Sequence, residues 1–104
     1  MKKVRVSLLT AAFIGGGLAL SASAQDANLG RNLGATCTHC HGTDGRSVGG
    51  TVALAGMPKE QLVQAMKEFK SGARPATVMH QLSKGYTEQQ VELIGEYFSK
   101  QKIQ

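Results

Sequence analysis

The stretch Cys37-Thr38-His39-Cys40-His41 decides how the rest of this 104-residue chain can fold. Cys-x-x-Cys-His is the attachment pattern of a c-type haem, in which each cysteine thiol forms a thioether with one haem vinyl group. His41 directly follows the second cysteine, which places it to bind the iron through a ring nitrogen. The motif therefore predicts one covalent haem c on Cys37 and Cys40, with His41 as the proximal iron ligand.

Two other kinds of site use cysteines at this spacing. A thioredoxin-like redox pair normally opens a helix in a βαβ unit, and no strand pattern flanks Cys37 and Cys40. A zinc site needs four ligands, whereas the candidates crowd into residues 37–41 with no distant second pair. Both alternatives fit the sequence less well than a covalent haem.

The composition predicts one small globular domain with little material for a core. The chain has 41% apolar residues but no Trp, and its length allows a single domain. The residues that follow the leader, 25–104, form a chain that buries only about 60 to 65% of its unfolded surface, so its stability is marginal without a crosslink or a large cofactor. An attached porphyrin would supply that missing core.

Residues 1–24 have the pattern of a secretory signal peptide. Basic residues precede an apolar run over 8–20, and small residues at 21–24 provide a cleavage site. The run is shorter than the ~20 residues that a membrane-spanning helix needs. We expect cleavage after Ala24, which leaves 25–104 as a monohaem domain exported to a bacterial periplasm and not inserted in a membrane.

The charge balance gives little indication of a partner. Three of the 12 Lys and Arg residues lie in the leader, so nine remain against seven Asp and Glu. That excess is too small to predict nucleic acid as a partner. Five basic residues could form a weak docking rim for a redox partner, although ordinary solvated side chains explain them more simply: Lys59, Lys67, Lys70, Arg74 and Lys84.

A haem iron in an electron carrier needs a second axial ligand on the opposite face. The donors after the motif are Met57, Met66, Met79 and His80. Met66 recurs with apolar neighbours at helical spacing, so it is most simply a core residue. Met57 follows His41 too closely for the intervening loop to wrap round the haem edge.

Met79 is the expected distal ligand. It lies beyond the central helix in an extended stretch that Pro75 stiffens, which suits a loop crossing the distal face. Neighbouring side chains rarely point the same way, so we expect His80 at the surface or the haem edge. His39 fills a variable position between the cysteines and is expected to be exposed.

Three helices and a long loop are expected around the haem, in an all-α fold. The first helix should span about 27–36, with Asp26 or Asn28 as its cap. The second should span about 59–70 and end at Gly72. The third should span about 87–100 and begin with a capping box at Thr87. The glycine-rich stretch 42–56 should form a loop covering one haem edge. Gly30 should let the third helix cross the first closely, with Tyr97 and Phe98 filling the gap.

The chain after the leader resembles class I c-type cytochromes. The matching residues are Gly30, the CTHCH motif at 37–41, Gly42, Leu54-Ala55-Gly56, Phe69-Lys70-Ser71-Gly72, Met79 and Ile94-x-x-Tyr97-Phe98. The stretch 79–87 is most similar to the cytochrome subunits of flavocytochrome c sulfide dehydrogenases. The resemblance implies three helices wrapped round one haem, with Met79 as the distal ligand.

One position departs from that resemblance. These relatives usually carry proline after the glycine at Gly49, and its carbonyl accepts the N–H of the proximal histidine. Here the residue is Gly50. The resemblance implies that the Gly50 carbonyl still orients His41, in a more flexible loop.

The expected function is periplasmic single-electron transfer without catalysis, because the carboxylates are scattered and form no acid–base pair. The resemblance implies a haem subunit that accepts electrons from a sulfide-oxidising flavoprotein. A free diffusible carrier between respiratory complexes is the alternative. A haem-based gas sensor would need an easily displaced Met79.

Overall fold

The computed structural model describes residues 26–103, which are helical and contain no strand. The expected all-α class is confirmed; the expected signal peptide, 1–24, lies outside the described residues. None of the described helices is long and apolar enough to cross a membrane. The α-helices are α1 (Leu29–Gly34), α2 (Thr38–His41), α3 (Lys59–Ser71), α4 (Met79–Leu82) and α5 (Glu88–Ser99), and 3-10 turns span Ala35–Cys37, Thr43–Gly45 and Ser83–Gly85.

The two long helices begin and end where the sequence predicts. The Thr87 hydroxyl accepts the Gln90 N–H at 3.1 Å, and the Gln90 side chain accepts the Thr87 N–H at 2.9 Å, which completes the capping box of α5. α3 ends at Ser71 and is capped by Gly72, whose φ of 82° is left-handed and therefore suits glycine. Both helices agree with the expected bounds to within about one residue.

The first helix is shorter than expected, and neither proposed cap works as predicted. It begins at Leu29, and Asn28 stands at the cap position without a side-chain cap bond. Asp26 instead accepts the Asn28 N–H at 2.9 Å, a local turn that competes with helix formation. Beyond Gly34 the helix tightens into a 3-10 turn, so helical backbone leads directly into the cysteine motif.

Glycines on the first helix permit the close crossing of α1 and α5. A Cβ at Gly30 would overlap the Leu93 carbonyl oxygen and would lie 3.3 Å from the Tyr97 Cβ. A Cβ at Gly34 would lie 3.0 Å from the Phe98 ring. The predicted role of Gly30 is confirmed, and the structure adds Gly34 as the position that accommodates Phe98.

The described residues bury a small apolar core between α3 and α5. Phe98 and Ile94 are fully enclosed, and Met66 is buried among them, as its spacing predicts. The core cluster consists of Leu62, Met66, Val91, Ile94 and Phe98. So small a cluster provides limited hydrophobic stabilisation for a domain of this size.

Hydrogen bonds fasten the long loop to α5 and join its two ends to each other. The Tyr97 hydroxyl donates a hydrogen bond of 2.6 Å to Asp44, which raises the pKa of Tyr97 above its usual value. The Gly45 carbonyl accepts the N–H groups of Leu54 and Ala55 at 2.8 and 3.1 Å. The middle of the loop is exposed, with Val48 95% accessible.

We predict that Gly30→Ala lowers the thermal midpoint of the holoprotein, because the added Cβ overlaps the Leu93 carbonyl. Overpacking of this kind costs about 1–3 kcal/mol, more than the roughly 1 kcal/mol that Ala contributes over Gly as a helix former. Gly49→Ala is the matched control, since its Cβ would meet no atom within 4 Å. Equal midpoints for the two variants in circular dichroism melts would contradict the close crossing.

Candidate functional site

The cysteine motif lies on one short run of helical backbone. Cys37 ends a 3-10 turn, and Cys40 and His41 belong to α2, which ends at Gly42 with φ 85°. Both cysteines are free thiols. Cys37 packs against the core cluster, and burial raises the pKa of its thiol, whereas Cys40 is exposed. One thiol thus lies at the edge of the core and the other faces outward.

A backbone hydrogen bond orients the His41 imidazole. Its Nδ1 lies 2.6 Å from the Val52 carbonyl oxygen, and because a carbonyl only accepts, Nδ1 carries the proton. In a neutral ring Nε2 is then the unprotonated nitrogen, with its lone pair available to a metal. This is the tautomer that a haem-iron ligand needs.

The acceptor is Val52, so the expectation that the Gly50 carbonyl orients His41 is wrong. Added Cβ atoms at Gly49 and Gly50 would meet nothing within 4 Å. This part of the loop is exposed, and the carbonyl two residues further along contacts the ring instead. The orienting bond itself is retained.

Met79 lies at the start of α4 rather than in an extended stretch. The Val78 carbonyl accepts the N–H groups of Gln81 and Leu82 at 3.0 and 3.1 Å, which begins a helical turn at Met79. The preceding residues 73–78 are non-helical, as predicted. Met79 is half-buried and packs against the core cluster that Cys37 also contacts.

The other candidate donors lie in different surroundings. Met66 belongs to the buried core. Met57 packs against that core, and its N–H donates to the Leu54 carbonyl at 3.0 Å. His39 is exposed, as expected, but the expectation for His80 is only partly correct, because its Nδ1 is buried.

Tyr86 joins the cysteine segment to the segment that follows Met79. Its hydroxyl lies 2.6 Å from that of Thr36, and its carbonyl accepts a hydrogen bond of 2.9 Å from the Lys70 ammonium. Sequence reasoning missed this link, because partners that are distant in sequence and polar leave no periodic signal. The link holds Cys37 and the Met79 segment against the same core.

The expected docking rim is largely occupied by internal contacts. Arg74 pairs with Glu68 at 2.6 Å and lies over the Phe69 ring, and hydrogen bonds from Gln64 and Arg74 hold the pKa of Glu68 below its usual value. Lys59 lies 3.9 Å from Glu92. The Lys70 ammonium donates to the Tyr86 carbonyl. Of the five basic residues of the expected rim, only Lys67 and Lys84 make no ion pair or hydrogen bond through their side chains within residues 26–103.

Exposed apolar side chains next to the candidate ligands fit a bound porphyrin. Val52 provides the His41 acceptor and is 63% exposed, while Val78 and Leu82 lie within three residues of Met79 and are each 52% exposed. A bound porphyrin would remove apolar side chains beside its iron ligands from water. The free thiols, the oriented imidazole and this surface together fit a covalent haem.

The zinc alternative gains no support from the structure. Among residues 26–103, no group of three or more His, Cys, Asp or Glu side chains is placed to hold a metal ion. The same residues form no strand, which removes the βαβ setting of a thioredoxin-like pair.

Comparison with known proteins also indicates a covalent haem site. The family model for cytochrome c matches residues 27–102. The chain belongs to the cytochrome c family. Membership brings covalent haem c as its cofactor, and the paired cysteines are consistent with it. The recognition of a c-type cytochrome from the sequence is therefore confirmed.

Three relatives illustrate what this cytochrome is similar to. It is 42% identical over 69 residues to the cytochrome subunit of sulfide dehydrogenase of Chlorobaculum tepidum, covering 66% of this chain and 63% of that one. It is 35% identical over 104 residues to cytochrome c4 of Pseudomonas aeruginosa, covering 99% of this chain and 50% of that one. It is 36% identical over 70 residues to the thiosulfate dehydrogenase electron acceptor of Thiomonas intermedia, covering 65% of this chain and 32% of that one. The chain thus spans less than two thirds of the length of each of these relatives.

Proposed function

We propose that this cytochrome transfers single electrons through one haem c, with thioethers at Cys37 and Cys40 and with His41 and Met79 as the axial ligands. The observation that carries the proposal is the bond of 2.6 Å between His41 Nδ1 and the Val52 carbonyl. It fixes both the tautomer and the direction of the imidazole, as a proximal ligand requires.

The bound haem supplies an iron that alternates between ferrous and ferric states with unchanged ligands. The chain's own part is to hold those ligands still. The Val52 carbonyl orients His41, and packing against the core holds Met79. A thioether ligand raises the reduction potential relative to a second imidazole.

The polar side chains of the described residues support electron transfer rather than catalysis. Glu68 and Glu96 pair with Arg74 and Lys100, and Asp44 accepts from Tyr97. Carboxylates engaged in this way hold helices and loops together and do not form an acid–base pair around a substrate.

For the partner, we propose a sulfide-oxidising flavoprotein in the periplasm, from which this chain accepts electrons. The proposal is supported by the similarity to the cytochrome subunit of sulfide dehydrogenase and by the signal-like leader at 1–24. A free diffusible carrier remains the second candidate, favoured by the similarity to an electron acceptor of thiosulfate dehydrogenase.

We predict that Met79→Ala abolishes the weak far-red charge-transfer band of sulfur bound to ferric haem iron, because no other thioether replaces it. Met57→Ala and Met66→Ala are the controls, and both should retain the band in the absorption spectrum of the oxidised protein. Loss of the band in Met57→Ala together with its persistence in Met79→Ala would overturn the choice of ligand.

The partner proposal predicts that affinity-tagged cytochrome from the native periplasm co-purifies with a flavin-containing chain in a fixed ratio. Sulfide should reduce the haem of this complex and should reduce the isolated cytochrome far more slowly. Elution of the cytochrome alone, with no flavin absorbance, would favour the free carrier.

A further inference from the structure

His80 carries the one buried side-chain nitrogen or oxygen that lacks a hydrogen-bond partner within residues 26–103. That atom is its Nδ1, while the residue as a whole is half-buried. Buried polar atoms are nearly always satisfied in native proteins, because an unsatisfied one has lost its hydrogen bonds to water without replacement. His39 is exposed, so water can satisfy its ring nitrogens, whereas the Nδ1 of His80 is buried without a partner.

His80 follows Met79 directly on α4, a helix of a single turn. The Cα atoms of adjacent residues lie about 3.8 Å apart. A slip of the chain by one residue would therefore carry an imidazole to the place that the proposed thioether ligand holds.

The backbone around these two residues makes few hydrogen bonds between two anchors. At one end Arg74 bonds to Glu68 through both its backbone and its side chain. At the other end the buried Ser83 hydroxyl donates to the His80 carbonyl at 3.3 Å. Between Arg74 and Gln81, no backbone N–H donates a hydrogen bond to another atom of residues 26–103, and the Val78 carbonyl accepts two.

The same segment is also largely exposed to solvent. Pro75, Thr77 and Val78 are exposed, and Val78 is 52% accessible although it is apolar. Segments with few buried contacts and few internal hydrogen bonds open locally at a small fraction of the global stability. A shift of one residue here is therefore inexpensive compared with unfolding of the domain.

We propose that His80 is a reserve axial ligand, which binds the haem iron whenever the Met79 thioether is removed or withdrawn. The proposal rests on the His41 and Met79 ligation given above. The iron–sulfur coordinate bond breaks and a bond from a neutral imidazole nitrogen of His80 forms. No electron is transferred and no covalent bond of the chain changes.

Such an exchange has two physical consequences. The distal position stays filled, so a diatomic ligand must compete with an imidazole rather than enter an open site. The reduction potential falls as well, because the thioether is the ligand that raises it. Withdrawal of Met79 would then convert a high-potential carrier into a low-potential one without opening it to gases.

The test compares three variants with covalently attached haem: Met79→Ala, Met79→Ala/His80→Ala and, as the matched control, Met79→Ala/His39→Ala. Electron paramagnetic resonance of the ferric proteins reports their spin state. We expect the first and third variants to be low-spin without the far-red sulfur band, and the His80 double variant to be high-spin. If His80 occupies the iron nine-tenths of the time, the reduced Met79→Ala protein binds carbon monoxide about tenfold more weakly than that double variant.

Addition of imidazole checks that the double variant keeps a working site, since free imidazole should return it to the low-spin state. A high-spin Met79→Ala protein, with the carbon monoxide affinity of the double variant, would overturn the proposal. A double variant that stays low-spin would overturn it too, because a ligand other than His80, whether a side chain or hydroxide, would then fill the distal position. Persistence of the sulfur band in Met79→Ala would instead remove the ligand pair on which the proposed function rests.

Discussion

Attachment of a large apolar ring to a chain that forms only a small core of its own is the constraint on which this structure depends. Within residues 26–103 the core cluster between α3 and α5 has five buried side chains, while Val52, Val78 and Leu82 are exposed beside the candidate ligands. A covalent haem covers such surface and, unlike a dissociable cofactor, cannot be lost on partial opening. The motif at 37–41 therefore determines the stability of the domain as well as its proposed chemistry.

Two hydrogen bonds, at different distances from the motif, position the segments that carry the proposed iron ligands. The Val52 carbonyl orients the imidazole of His41 directly. One step further away, Tyr86 ties Thr36 to the segment after α4. The proximal side of the site is therefore fixed through His41. The distal side, where Met79 and the proposed reserve ligand His80 lie, has fewer backbone hydrogen bonds.

Local signals account for what the sequence predicts well. The haem motif, the capping box at Thr87 and the left-handed Gly72 each depend on a few neighbouring residues, so the helix type and ends follow from them. The close approach at Gly30 is predicted because only glycine allows it. The Val52 carbonyl and the Tyr86 link are missed because backbone acceptors carry no residue signature and their partners are remote. The ligand role of Met79 stays a prediction.

The most direct test of the account is the intact mass of the mature protein under denaturing conditions, after expression with a working c-type maturation system. The account predicts a polypeptide heavier by one haem, with the colour retained on the chain after acid–acetone extraction. A colourless polypeptide of unmodified mass would contradict the covalent attachment on which the fold, the ligands and the proposed function all depend.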